Sequence, residues 1–356
     1  MLQAFRDLRE GPDPGEEIEI LWLGGEGGME ADMVARAGIS FAALPAAGLH
    51  GVGLLNVPGN LWKLLQGFWR ARRILRDYKP DALFFTGGYV SVPAGLAGRK
   101  LPTLVYVPDI EPGLALQLVS RFADRIAVTT SIGLQYFKKA VDQVTVTGYP
   151  VRADLTRRDK AEALRHFTLS KELPTLLVFG GSQGARSINR ALLASLDTLL
   201  AEMQIIHISG DANWTEVAKV SNSLPAALGT RYRPFPYLYD DMGAAMAAAD
   251  LVVSRAGASA LGEFPLFALP AILVPYPYAW RYQQNNAGYL VERGGALLVR
   301  DEELQDMLVD TILDLMRDSH RRHTMASAMR KLAVPDAAHK IAKILQEMTL
   351  VRSDHD

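Results

Sequence analysis

Eight short apolar runs, each leading into a turn and then a helix-like pattern, constrain this chain more than any other feature: residues 18–23, 82–86, 103–107, 125–129, 175–179, 205–209, 251–254 and 271–274. Strands of this length that alternate with helices build βαβ units and parallel sheets. At 356 residues the chain also exceeds what one hydrophobic core ordinarily fills. The expectation is an α/β protein of two doubly wound, Rossmann-like domains facing a cleft.

A strand-like stretch, residues 143–147, ends at Gly148, Tyr149 and Pro150, and the charged, poorly apolar residues 152–171 separate it from the next strand. The hinge is expected there, dividing the chain into residues 1–150 and 151–335. Residues 336–351 read as one more helix, with Ile341, Ile344, Leu345 and Met348 on one face. In folds of this type such a helix often crosses back to complete the first domain. No solenoid period and no low-complexity tract is evident.

Composition narrows the function. A formal charge of -1 gives the whole molecule no field that would gather nucleic acid or an anionic membrane, so any such attraction must be local. No nucleic-acid partner is expected. The absence of cysteine removes disulfides, thiolate nucleophiles, iron–sulfur clusters and cysteine-based zinc sites. The first ten residues mix Arg6, Asp7, Arg9 and Glu10 with apolar residues and do not read as a signal peptide. The most apolar later stretch, residues 269–280, is broken by Pro270, Pro275 and Pro277 and is too short to span a bilayer.

Three elements in the second half carry chemistry. The run at residues 176–189 turns from a buried strand through Gly180, Gly181, Ser182, Gln183 and Gly184 into a helix. Such a turn gathers backbone N–H groups and the positive end of a helix dipole at one point, which suits a pyrophosphate. Tight strand-to-helix packing needs the same glycines, and one cluster does not separate the two readings. The second element, residues 250–263, repeats the strand, small-residue turn and helix, and adds Arg255 at the strand end and Glu263 about two helical turns past Gly257. A carboxylate so placed can accept both hydroxyls of a ribose, although a helix Glu is often simply solvated. A cation beside a phosphate turn is usually there for its charge. The third element empties a strand into an aromatic and amide-rich loop, residues 276–287. Amides and rings suit a sugar, but taken alone this loop reads as a polar helix start.

In this order and spacing the three elements resemble the donor half of the MurG family, the peptidoglycan transferases that convert lipid I to lipid II on a GT-B fold. The resemblance extends over nearly the whole chain and is densest over residues 148–287. It implies that Gly181, Ser182, Gln183 and Gly184 hold the diphosphate of UDP-N-acetylglucosamine, with Arg152 and Arg255 balancing its charge. It further implies that Glu263 takes the ribose, that Leu238 and Tyr239 offer backbone groups to uracil, and that Gln283 reaches the sugar. No metal and no cofactor beyond the sugar nucleotide is implied. In the first half, Gly87, Gly88 and Tyr89 resemble the family's second glycine loop, which faces the lipid-linked muropeptide acceptor; a plain packing turn is the alternative.

Residues 61–76 contain Trp62, Phe68 and Trp69 among Lys63, Arg70, Arg72, Arg73 and Arg76, with no acid. The segment fits both a core helix with a solvated basic face and a helix lying on an anionic membrane surface. The resemblance favours the membrane, and with it a peripheral position on the cytoplasmic face of the bacterial plasma membrane.

Departures from the family pattern are equally informative. Family members begin with a strand and a glycine loop ending in a histidine, whereas Met1 here aligns inside the helix that follows that loop. The expectation is that the true start lies upstream, that the first domain lacks a central strand, and that a slot opens between that strand's neighbours. Without that histidine, Asp109 and Glu111 are the candidate bases, on chemistry alone. They lie where the family shows a His-Glu-Gln-Asn stretch, and Tyr282 stands where the family shows Gln or His. Three rivals to the transferase reading are another lipid-directed glycosyltransferase, a sugar-nucleotide epimerase, and a chain that binds the sugar nucleotide without catalysis.

Overall fold

The computed structural model describes residues 18–27, 30–46, 57–137, 141–152, 155, 159–181, 185–278 and 281–353. The chain forms two compact units, Met1–Thr147 with Asp336–Asp356, and Gly148–Pro335. The division falls at Gly148 rather than after Pro150, and close packing explains why. Gly148 adopts φ +87°, and a Cβ there would come within 2.6 Å of Val334; a Cβ on Gly262 would come within 2.7 Å of the Tyr149 side chain. Both neighbours belong to the second unit, so these residues join it.

The second unit holds one six-stranded parallel sheet. Its strands are β7 (Thr175–Phe179), β8 (Gln204–Ile208), β9 (Tyr232–Phe235), β10 (Leu251–Ser254), β11 (Ala271–Leu273) and β12 (Ala296–Leu298). Their order across the sheet is β9-β8-β7-β10-β11-β12. The chain therefore winds outward first in one direction and then in the other, and the reversal lies between β7 and β10. Loops leaving the carboxyl ends of those two strands diverge there, which leaves a crevice where α/β sheets bind ligands. Both faces of the sheet are apolar and buried: Leu176, Val178, Val253 and Ile272 on one face share a core with Ile188, Leu192, Leu308 and Ile312, and Leu177, Val252 and Leu273 on the other are fully buried as well.

The first unit contains β3 (Leu83–Phe85), β4 (Thr103–Val107), β5 (Arg125–Val128) and β6 (Val144–Val146), paired in that order and parallel throughout. A separate parallel pair is formed by β1 (Leu21–Gly25) and β2 (Ser40–Leu44). Leu44 of the pair joins the same apolar cluster as Leu75, Phe85 and Val105. The other face of the four-stranded sheet is covered by the terminal helix Ala337–Ser353, whose Ile341 and Leu345 pack with Leu104, Tyr106 and Ala127. Among the described residues no ladder joins β1 to β3. Among the described residues β1 and β3 therefore each have one edge without a ladder partner.

Both units open a strand by the same device. Asp124 accepts the Thr103 N–H at 2.8 Å and Asp250 accepts the Thr175 N–H at 2.9 Å. In each case an aspartate just before one strand satisfies the first free donor of the neighbouring strand, which would otherwise be buried without a partner.

Candidate functional site

Register brings the functional turns together. Phe179 of β7 lies opposite Ser254 of β10, Ser254 opposite Leu273 of β11, and Leu273 opposite Leu298 of β12. The turns beginning at Gly180, Arg255, Val274 and Val299 therefore leave one edge of the sheet side by side. Gly181 has φ +88°, a left-handed conformation that favours glycine, and space beside it is open. Ser182, Gln183 and Gly184 lie outside the described residues. The turn leads into the helix Arg186–Ala194, the arrangement that offers free N–H groups to an anion.

Glu263 is the fourth residue of the helix Ala260–Leu266 and is half-buried. Burial pushes its carboxyl up to about 7, partly offset by a hydrogen bond with Ser259 and by the positive charge of Arg152. Arg152 donates a long hydrogen bond, 3.5 Å, to the backbone carbonyl of Tyr239. The structure thus draws Arg152, Tyr239 and Glu263 into one polar group, although they are 87 residues or more apart from Arg152 in sequence. Tyr239 is exposed and its ring lies tilted against that of Tyr237, centroids 4.5 Å apart, with Leu238, between them in the chain, half-buried. Gln283 sits in the first turn of the helix Tyr282–Glu292, where its Oε1 accepts the N–H of Tyr276 at 2.8 Å.

Arg255 departs from its expected role. Its side chain is 10% exposed and its Nη1 donates to Asp301 Oδ1 at 2.5 Å. It donates further to the Val274 carbonyl at 3.2 Å and the Pro275 carbonyl at 3.4 Å, while Nη2 donates to Ser187 Oγ at 2.8 Å. A charge already neutralised by a carboxylate and engaged by two carbonyls is a tie between loops rather than a free cation for a phosphate. Asn286 is likewise structural: buried, it donates to the Ala256 carbonyl at 3.1 Å.

Behind the glycine turn lies a polar group that the motifs did not reveal. His207 in β8 is fully buried, with Nδ1 2.7 Å from the Tyr232 hydroxyl and Nε2 3.0 Å from Asn189 Oδ1. Asn189 gives its amide hydrogen to the Ser209 carbonyl at 2.8 Å, so its oxygen faces the imidazole. That orientation puts the proton on Nε2, leaves Nδ1 to accept from Tyr232, and satisfies the neutral ring completely. Burial holds the imidazole down at about 3.

In the first unit Gly87 and Gly88 take φ +129° and +83°, and Ser91 fixes their turn by donating Oγ to the Gly87 carbonyl at 2.6 Å. The next residue, Tyr89, is exposed. Asp109 is half-buried, whereas Glu111 is only 5% exposed; both lie in the loop that follows β4. On access alone Asp109 is the better placed of the two to meet a substrate.

The helix Val57–Tyr78 has two apolar faces. Ala71 and Leu75 are buried in the core. Leu61, Leu65 and Trp69 form an exposed stripe at four-residue spacing, with Trp62 beside it; Trp62 and Trp69 are 62% and 66% exposed. Phe68 is half-buried and stacks edge-on against Trp69. Arg70, Arg72 and Arg73 are exposed, Arg70 pairing with Glu26 at 2.8 Å. No helix among the described residues is long and apolar enough to cross a membrane.

Two Rossmann-like α/β units, the second with a glycine turn that leads into a helix and a half-buried glutamate beside its switch point, define a two-domain α/β class of fold. Comparison with known proteins resolves the class. Residues 14–128 match the glycosyltransferase family 28 N-terminal domain and residues 175–341 the C-terminal domain of the same family. The chain is 42% identical, over 93% of its length and 84% of the relative, to the UDP-N-acetylglucosamine–N-acetylmuramyl-(pentapeptide) pyrophosphoryl-undecaprenol N-acetylglucosamine transferase of Roseiflexus sp. (strain RS-1). The Acinetobacter baumannii MurG crystal structure shares the fold with TM-score 0.73 at 22% identity, covering 97% of this chain and 95% of that one. A Neisseria meningitidis UDP-GlcNAc 2-epimerase bound to UDP-GlcNAc shares it with TM-score 0.63 at 14% identity, covering 98% and 94%. The fold alone thus serves both transferases and epimerases, and sequence identity decides between them: the chain belongs to the MurG family of glycosyltransferases.

Proposed function

We propose that this chain transfers N-acetylglucosamine from UDP-N-acetylglucosamine to the N-acetylmuramyl-pentapeptide carried on undecaprenyl diphosphate. The observation that carries the reading is the polar group at the switch point of the second unit. There Glu263, Arg152 and the carbonyl of Tyr239 converge beside a glycine turn that ends in a helix start. Glu263 accepts the two ribose hydroxyls. Backbone groups of Leu238 and Tyr239 face uracil, and the turn at Gly181, Ser182, Gln183 and Gly184 holds the diphosphate. The Gln283 amide reaches the sugar hydroxyls.

In the transfer, an acceptor hydroxyl forms a bond to the anomeric carbon as the bond to the diphosphate breaks, and the centre inverts. The electron pair leaves with UDP, where turn N–H groups and Arg152 stabilise it. The acceptor proton goes to a carboxylate, for which Asp109 is the first choice and Glu111 the second. Gly87, Gly88 and Tyr89 contact the acceptor.

The helix Val57–Tyr78 supplies the membrane attachment that a lipid-linked acceptor requires. Its exposed Leu61, Trp62, Leu65 and Trp69 enter the headgroup region of the cytoplasmic leaflet while Arg70, Arg72 and Arg73 meet anionic lipid.

Titration with UDP-N-acetylglucosamine, followed by transfer to a lipid-linked muropeptide, tests the reading. Wild-type protein should bind, and Glu263→Ala should lose about 3 kcal/mol of affinity, roughly a hundredfold, with two charge-assisted hydrogen bonds removed. Failure of the folded wild-type chain to bind would overturn the nucleotide site. Conversion of the sugar nucleotide without any acceptor would favour an epimerase.

A further inference from the structure

Ser187, Arg255 and Asp301 form a closed triangle. Ser187 Oγ donates to Asp301 Oδ1 at 2.7 Å, Arg255 donates to the same oxygen at 2.5 Å, and its other terminal nitrogen donates to Ser187 Oγ at 2.8 Å. Each corner belongs to a different turn at the carboxyl edge of the sheet. Ser187 is the second residue of the helix after the glycine turn of β7. Arg255 directly follows β10, and Asp301 begins the short 3-10 turn Asp301–Glu303 after β12. Through the Val274 and Pro275 carbonyls Arg255 also grips the turn after β11, and it lies 5.3 Å over the Tyr276 ring. Four of the sheet's six strands thus end on one guanidinium.

We propose that Asp301 and Ser187 are positioning residues for donor binding, acting through Arg255 to fix the helix start that faces the diphosphate. The proposal rests on the nucleotide reading above. Asp301 anchors Arg255 in one rotamer, Arg255 holds Ser187, and Ser187 fixes the first turn of the helix Arg186–Ala194. Anion binding at a helix start depends on several N–H groups converging on one point, so a small rotation of that first turn weakens every one of them together. The nucleoside end, served by Glu263 and the Leu238–Tyr239 backbone, depends on other segments.

Asp301→Asn gives a test in which electrostatics and positioning predict opposite signs. Removing a carboxylate from beside an anion site, with Arg255 released toward it, tightens UDP if the aspartate acts only by its charge. If it acts by positioning, UDP binds less tightly. The experiment is calorimetric titration of the full chain with UDP, together with uridine binding measured by ligand-observed NMR, for wild type, Asp301→Asn and Ser187→Ala. The expected result is a loss of UDP affinity of about tenfold in each variant, with uridine affinity changed by less than about twofold. A structural weakening of the unit would lower both ligands alike, and that parallel loss overturns the proposal. Unchanged or tighter UDP binding in a cooperatively folded Asp301→Asn protein overturns it as well. Should that variant lose cooperative unfolding, Ser187→Ala carries the same comparison by deleting one hydroxyl. Wild-type protein that binds neither ligand would instead sink the nucleotide reading and this proposal with it.

Discussion

Glu263 holds a carboxyl that burial has pushed up to about 7, whereas the role proposed for it, accepting two ribose hydroxyls, calls for the carboxylate. Donor affinity should therefore fall as pH drops through 7, on the order of tenfold or more between pH 7.5 and 5.5, and Glu263→Gln should flatten that profile. Stability runs the other way. The folded state holds this proton more tightly than the unfolded chain, so the stability it confers is full below pH 4.5 and is lost as pH rises through 7. At pH 8 the Gln variant should be more stable than wild type by up to about 3 kcal/mol while binding donor poorly, measurable by urea unfolding. A site residue that destabilises its own fold is a common signature of function. His207 shows the converse: burial holds its imidazole down at about 3, so it stays neutral in the fold well below the usual range, and its contribution is full above pH 6.5 and is lost as pH falls through 3. His207→Gln should be less stable at pH 7, because Asn189 and Tyr232 lose fitted partners. It should also lose less stability than wild type on acidification from pH 6.5 to 4.

At the scale of elements, β1 and β3 each present one side without a ladder partner among the described residues. Amides on open ladder edges exchange through small local openings, whereas those of β4 and β5 require larger ones. Hydrogen exchange should accordingly be faster in β1 and β3 than in β4 and β5, by roughly an order of magnitude or more; equal protection would show that the edges are covered. The helix Val57–Tyr78 exposes a large apolar stripe that costs solubility and that its buried Ala71 and Leu75 face does not need. Replacing Trp62 and Trp69 together with Glu should abolish sedimentation with anionic vesicles and leave the melting temperature within about 2 °C. Several elements escaped the sequence reading for physical reasons. The strand β9 contains Pro234, which demotes a strand by pattern, β12 is only three residues long, and both β2 and β12 are rich in alanine or leucine, with none of the β-branched residues that mark a strand.

Across the whole molecule, each unit has its own apolar core, one built on the six-stranded sheet and others on the four-stranded sheet. The residues proposed to hold UDP all lie in Gly148–Pro335. Scanning calorimetry should therefore resolve a transition that UDP raises, by about 2.7 kcal/mol of added stability at a hundred times the dissociation constant, and another that it leaves in place. A uniform shift of a single transition would mean that the units unfold together.

By itself the sequence determined the strand-and-helix alternation, the parallel sheets and the glycine turn before Arg186, because these depend on local periodicity and on the backbone freedom of single residues. It also put Glu263 on the helix that follows the strand at residues 251–254, though about two turns past Gly257, whereas the helix begins at Ala260 and Glu263 is its fourth residue. What only the tertiary structure decided is how distant groups meet. Arg255 read as a free cation because its partners, Ser187 and Asp301, lie 68 residues before it and 46 after it. His207 and Asn189 gave no motif, since a buried polar residue looks like any other until the sheet brings its partners to it. Charge and hydrogen bonding are settled by whatever stands within a few ångströms, and in a parallel sheet those neighbours arrive from crossovers of thirty residues or more.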